Sequence, residues 1–474
     1  MNTNKYNPFY IFLIICTIYA IPFVIHNVQY RDDFARTVTN DDNWAILGRT
    51  LSDYVMNAIS LRYGGVFDVA PLPILLSVFI ASYACFYSWR QSNFASPKYI
   101  FAFATLFVSP FYIQNIAYRY DVLPMTISMS LPIIAIAISS TNSLRCFIYS
   151  SLMLAASLSM YQAGSNIFIA LCAANILLNV WGDKDRKILY ALRISLIYVC
   201  GIIIYFIFSK FVFREATERT DIGNVDSFID SFINTYYYAV KWFIIDELKP
   251  VALIMILSFI FLVIYKASKY DNKITSFTVA ITAFITLLFS ALGPISLLKE
   301  GYTSIRILIG LNGLYFCLSL STIYLLKFSK LTKVISYVIV LIAPMVYSYA
   351  FSSAIYSQRE YEKSIIFSLY SSMDSAGLNG KYKKIYVGGT VPMSPVSSEF
   401  AKHFYAIHQF VSPMAPWISR RMMHYYGIEN VYQTWAMDPT WLVERVKHDD
   451  TRPVSSGRHF KIYEIDNDAL IMFN

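Results

Sequence analysis

Two adjacent carboxylates, Asp32 and Asp33, stand in "YRDDFAR" just after an apolar run that ends near residue 26. A carboxylate near a membrane boundary, partly shielded from water, gains proton affinity and can act as a base. Such a base serves a reaction in which a weak nucleophile, such as a sugar hydroxyl, must lose its proton as it attacks. Asp33 is the first choice for that role and Asp32 the second. The plain alternative is a pair of solvated loop acids matched to Arg31 or Arg36. A second polar group, Arg119 and Asp121 in "NIAYRYDVLPM", lies between two further apolar runs, and Arg306 closes "KEGYTSIR". Ionisable residues at such boundaries are functional candidates by default. Fixed guanidinium groups there suit a lipid phosphate, which they bind bidentately. Arg36, Arg49, Arg119 and Arg306 are therefore phosphate candidates, with Asp121 a supporting acid. Helix capping by Arg119 and Asp121, and headgroup anchoring by Arg306, are the alternatives.

The elements that must carry these residues are membrane spans. Of 474 residues, 56% are hydrophobic and 15% charged, and the mean hydropathy is +0.47. A soluble domain carries about 25% charged residues, so the composition is that of a polytopic membrane protein. Spans of roughly 20 apolar residues are expected near 8–26, 73–89, 99–116, 122–139, 146–160, 163–180, 192–209, 251–265, 275–292, 305–326 and 334–353, about eleven in all. The uncharged stretch 146–180 is split at the polar step "YQAGSN". With the N-terminus inside, the inner loops concentrate Lys and Arg, while the outer loops spread a similar number over a longer length. This orientation puts outside the loop 27–72, the "YRYD" connection, the loop 210–250 and the tail after about 354.

Within the first outer loop, "NWAILGRTLSDYVMNAISLR" (43–62) has apolar residues at Trp44, Leu47, Leu51, Val55 and Ile59. Steps of three and four make an amphipathic helix, expected to lie in the membrane interface with Trp44 at headgroup depth. A soluble helix packed on neighbouring loops is the alternative. The tail 354–474 is polar and rich in turn residues. "KKIYVGG" reads as a strand, "HFKIYEIDNDALIMFN" as a hairpin, and 398–410 and 416–426 as helices, together a small α/β domain. Its aromatic residues Trp417, Tyr425, Tyr426, Trp435 and Trp441 read as core and interface rings, with stacking on sugars as the second reading. The "NTYYYAVKWF" run in loop 210–250 has the look of a second interfacial helix, which either gates the donor or, the favoured reading, only rests on the membrane.

Several chemistries find no support. The six cysteines lie in or beside apolar runs, without a CxxC or a Cys/His cluster, so neither a disulfide framework nor a zinc site is indicated. There is no GxGxxG after a strand, no Walker sequence and no GxSxG. The +9 net charge lies largely in short loops and does not point to nucleic acid.

Taken together, "YRDDFAR", "WAILGRTLSD", "DVAPLP", "NIAYRYDVLPM" and "SLSMYQAG" resemble, in order and spacing, membrane glycosyltransferases of the GT-C superfamily. More narrowly they resemble the phage-type serotype-converting O-antigen glucosyltransferases. These motifs cover about the first 165 residues; beyond them only the layout is similar. Thr50 stands where that pattern has Pro. The resemblance implies a GT-C-like module over 1–353 and a periplasmic domain over 354–474, in the bacterial inner membrane with the N-terminus cytoplasmic. It implies inverting transfer of glucose from undecaprenyl-phosphate-glucose to a sugar hydroxyl of lipid-linked O-antigen, changing lipopolysaccharide serotype. No metal or other cofactor is implied. The implied partners are membrane lipid, a flippase and a synthase of the lipid-linked glucose. Trp44 and Gln162 join the arginines and Asp121 as substrate-binding candidates. Competing readings are another polyprenyl-phosphate-sugar transferase of the aminoarabinose or arabinose type, an O-antigen polymerase, and a lipid-linked sugar transporter. A transporter would show internal repeats and midplane polar breaks, and neither is evident.

Overall fold

The computed structural model describes residues 7–139, 143–181, 187–213, 225–269, 272–297, 304–432 and 439–473. These residues are mostly helical and fall into two compact units. The first comprises Met1–Ile25, Asp42–Tyr63 and Val69–Tyr349; the second comprises His26–Asp41, Gly64–Asp68 and Ala350–Asn474.

Among the described residues, five helices are long and apolar enough to cross a membrane: Pro8–His26, Leu72–Arg90, Leu189–Ser209, Asp246–Ala267 and a stretch within Lys330–Ser375. Only 17% of the apolar window is buried in Leu189–Ser209 and in Asp246–Ala267. A helix that is apolar all round and presents most of that surface outward belongs in lipid, where it satisfies its own backbone. Five shorter apolar helices accompany them: Val122–Ile138, Leu144–Met160, Gln162–Leu178, Lys273–Phe289 and Gly310–Leu325. This is a membrane protein.

Three expected elements differ. The stretch 99–116 is not one span but the pieces Pro97–Tyr99, Ile100–Ala104, Pro110–Tyr112 and Ile113–Ala117. Pro110 disfavours helical backbone at Ser109, which is extended (φ −145°, ψ 146°) and caps the next turn by accepting the Phe111 N–H at 3.3 Å. The broken segment is almost wholly buried, the setting in which irregular backbone is tolerated at membrane depth. The helix expected over 43–62 is a 3-10 turn, Ala45–Leu47, followed by Thr50–Ile59. Gly48 in the left-handed region (φ +72°) separates the two, and Thr50 begins the second helix in place of proline. The last span runs on as Lys330–Ser375 rather than ending near 353. Ile355, Ile365, Ile366, Leu369 and Met373 keep a buried stripe at helical spacing beyond that point.

The second unit holds a four-stranded sheet, β1 (Ile385–Gly388), β2 (Ser455–Ser456), β3 (Phe460–Ile465) and β4 (Asp468–Phe473), in the order β1-β4-β3-β2. β1 is parallel to β4, and β3–β4 is the expected hairpin. Its turn is the pair Asp466 and Asn467, between the end of β3 at Ile465 and the start of β4 at Asp468. The helices Pro395–His403, Tyr405–Phe410 and Pro416–Tyr425 appear where helices were expected. The core joins the sheet residues Ile385, Val387, Ile462 and Ile471 to Ile418, Met422 and Phe34. Trp417 and Tyr426 pack against it, Tyr425 and Trp441 are exposed, and Trp435 lies outside the described residues.

Candidate functional site

In the first unit, the "NWAILGRTLSD" segment is locked by its own acid. Asp53 accepts the backbone N–H groups of Trp44 (2.9 Å) and Ala45 (2.8 Å), so its carboxylate closes the 3-10 turn. Trp44 is fully buried within the protein, and its indole N–H donates to Asp121. A buried indole N–H needs a partner, and Asp121 supplies it from the N-cap of Val122–Ile138. In the following helix Thr50, Ser52 and Met56 are the buried residues. The Ser52 hydroxyl donates to the Met160 carbonyl at 2.7 Å.

The next contacts orient Arg49. Gln162 donates to the Leu47 carbonyl (2.8 Å), and Tyr205 donates to the Gly48 carbonyl (3.0 Å). Arg49 Nε donates to Gln162 Oε1 at 3.1 Å, and its guanidinium lies 4.5 Å from the Tyr161 ring centre, within cation–π range. The Tyr161 hydroxyl in turn donates to the Arg306 carbonyl at 3.2 Å. Arg306 Nη1 donates to the Tyr118 hydroxyl at 2.6 Å, and its backbone N–H donates to Gln114 Oε1 at 2.9 Å. Gln114 also accepts the Ser304 hydroxyl. Arg119 is half-buried in the short connection between Tyr118 and Asp121.

Tyr161 thus links Arg49, and through it Gln162, to the Arg306 backbone, while the Trp44–Asp121 pair joins them through the Arg49 backbone N–H, which donates to the Trp44 carbonyl at 3.0 Å. Each of the two guanidinium groups lies against an aromatic ring, Arg49 on Tyr161 at 4.5 Å and Arg306 on Tyr118 at 5.2 Å. Tyr118, Tyr161, Tyr205, Gln114 and Asp53 were not among the expected site residues. Tyr161 and Tyr118 lie inside quoted motifs, but tyrosine is too common in this chain to stand out; Tyr205 sits in an unbroken apolar run.

Asp32, Asp33 and Arg36 belong to the second unit. Asp33 opens the helix Asp33–Thr39 and is 0% exposed; its Oδ2 accepts the Tyr30 N–H at 2.8 Å. Tyr30, also buried, donates its hydroxyl to the Phe410 carbonyl at 2.7 Å. Phe34 sets its ring edge-on to Tyr425 at 5.6 Å, bringing Pro416–Tyr425 alongside. Asp32 is half-buried. Burial holds the Arg421 guanidinium below its ordinary range, Asp32 and Asp41 pull it back up, and Arg420 and Arg36 press it down. Asp32 thus sits in a field of acids and arginines, and nothing in the sequence of the tail singled out Arg421. Among the described residues, no group of three or more His, Cys, Asp or Glu could hold a metal ion.

Residues 21–317 match the family described as "Glucosyl transferase GtrII". The chain belongs to this family. The GtrII match runs through Asp32, Asp33, the Arg49–Tyr161 network and Arg306. The chain is also similar to an "Uncharacterized 55.3 kDa protein in gtrB 5'region" of Salmonella phage P22. The two are 27% identical over 421 residues, 85% of this chain and 86% of the relative. No solved structure matches it. The likeness to phage-type glucosyltransferases drawn from the motifs is thereby shown, and membership of the GtrII family makes the protein a glycosyltransferase that moves glucose.

Proposed function

We propose that the protein transfers glucose from undecaprenyl-phosphate-glucose to a sugar hydroxyl of lipid-linked O-antigen, at the periplasmic face of the bacterial inner membrane. The observation that carries this reading is the Arg49–Tyr161–Arg306 cluster in the first unit. Two oriented guanidinium groups among apolar helices suit a single phosphate attached to a lipid, and no nucleotide motif competes with them.

In this reading a carboxylate takes the acceptor hydroxyl proton. The freed oxygen attacks the anomeric carbon, the bond from that carbon to the phosphate oxygen breaks, and polyprenyl phosphate leaves with both electrons. Attack from the opposite face turns a β-linked donor into an α-linked product. Asp32 is the better-placed base, because a base must come within hydrogen-bond reach of the proton it removes. Asp33 is fully buried and its carboxylate holds the Tyr30 N–H, a role suited to orienting the segment. Arg49, Arg119 and Arg306 receive the phosphate, and Arg36 supports the acid. Trp44, Asp121 and Gln162 fix the arginines in place. The N-terminus is cytoplasmic and residues 354–474 are periplasmic. A synthase and a flippase must supply the lipid-linked glucose on that face.

The test is transfer by detergent-purified protein, given undecaprenyl-phosphate-glucose and an O-antigen glycolipid, with and without EDTA. Wild type is expected to transfer equally in both. Asp32→Asn is expected to lose on the order of 10²–10⁴-fold in turnover while still inserting. Wild-type rates in Asp32→Asn would remove it from the role. Movement of the donor lipid across vesicles without transfer would replace the enzyme reading by a transporter.

A further inference from the structure

In the second unit, Gln358, Arg359 and Glu362 are buried on one helix, among apolar neighbours. Arg359 Nη1 donates to Glu362 Oε2. The other Glu362 oxygen accepts Gln358 Nε2 at 2.9 Å and the Met414 N–H at 2.7 Å. Arg359 Nη2 donates to the Ser412 carbonyl at 3.2 Å. Ser412 has φ +55°, a region that L side chains rarely adopt and that persists only where the surroundings over-determine it. The pair therefore grips both ends of the turn 412–414. Directly before that turn, Phe410 offers its carbonyl to Tyr30, whose N–H is held by Asp33. The Arg359 guanidinium also lies 5.5 Å from the ring centre of Phe34, the residue after Asp33.

A buried ion pair is a poor way to stabilise a core, since apolar residues of similar volume often do as well or better. Its advantage is that charged donors and acceptors dictate where their partners sit. We propose that Arg359 and Glu362 are positioning residues for the acidic segment Tyr30–Asp33, acting through the 410–414 turn. This rests on the assignment of the reaction's base to that segment.

The experiment compares wild type with the double variant Arg359→Met/Glu362→Leu in glucose transfer and in thermal unfolding. The expected result is an unfolding temperature at or above wild type, with turnover lower by about 100-fold, the scale of a small misplacement of a reacting group, and donor KM little changed. Wild-type turnover in a folded double variant overturns the proposal. Should the double variant not fold, Tyr30→Phe decides, because it removes the hydroxyl that donates to the Phe410 carbonyl. Lower turnover with unchanged donor KM supports the proposal, and wild-type turnover overturns it. Absence of glucose transfer by wild type itself would instead remove the functional reading on which the proposal rests.

Discussion

Arg49 shows how much one residue's role depends on its neighbours. Its guanidinium needs both a flat face for Tyr161 and an Nε donor for Gln162, and lysine offers neither. Arg49→Lys keeps the charge but loses the orientation. Hydrogen bonds to charged groups contribute about 1.5–3 kcal/mol, so donor KM is expected to rise about 10- to 100-fold with a smaller change in kcat. Steady-state kinetics against lipid donor would show this, and an unchanged KM would separate Arg49 from phosphate binding. The preceding residue makes a separate prediction. Gly48 has φ +72°, and a Cβ there would stand 2.6 Å from the Tyr205 hydroxyl. Gly48→Ala is therefore expected to destabilise by about 1–3 kcal/mol. Part of the loss should return when Tyr205→Phe removes the clashing oxygen, because neighbouring sites are not additive. Additive losses in thermal unfolding would show that backbone strain alone sets the cost.

At the scale of elements, the turn Gln162–Ser165 decides where Tyr161 and Gln162 point. It exists because Gly164 lets the chain pass close to Val122–Ile138: a Cβ there would lie 1.9 Å from the Ser128 hydroxyl and 2.9 Å from its backbone carbon. Gly164→Ala should thus push the turn away from that helix. The expected outcome is a Tm loss together with a raised donor KM, since Gln162 and Tyr161 move with the turn; a Tm loss alone would uncouple the two. The polar step "YQAGSN" was legible as a turn because Gly and polar residues interrupt an apolar run. Helix positions were legible for the same reason, since a 20-residue apolar run has few other fates. The break within 99–116 was missed because it depends on Pro110 and Ser109 acting inside a stretch as apolar as its neighbours. The burial of Trp44 was also missed. Periodicity counts apolar side chains, whereas here the Ser52 hydroxyl and the Trp44 indole choose the buried side by finding hydrogen-bond partners.

At the scale of the molecule, the second unit is not a tail that begins near 354 but a body assembled from three separate stretches of chain. Composition marked only the change at the C-terminal end; that 26–41 joins the same body could not be read from local pattern. Phe34 is a full member of that core, and Tyr30 is buried within the same unit. Removing a buried Phe side chain costs about 3–5 kcal/mol, against a typical domain stability of about 5–15 kcal/mol. A fragment of residues 350–474 is therefore expected to unfold at low urea, or to lack the fixed aromatic environment that near-ultraviolet dichroism reports. The same fragment with residues 26–41 joined by a flexible linker should unfold cooperatively at higher urea. Introducing Phe34→Ala into the linked version should cancel most of that gain. Equal midpoints for all three proteins would mean that the C-terminal stretch folds on its own, leaving the acidic segment a passenger on it. A gain that depends on Phe34 would make the fold of this unit and the placing of Asp32 and Asp33 a single event. That coupling would explain why an acidic segment is built into the core of a domain more than 300 residues away in sequence.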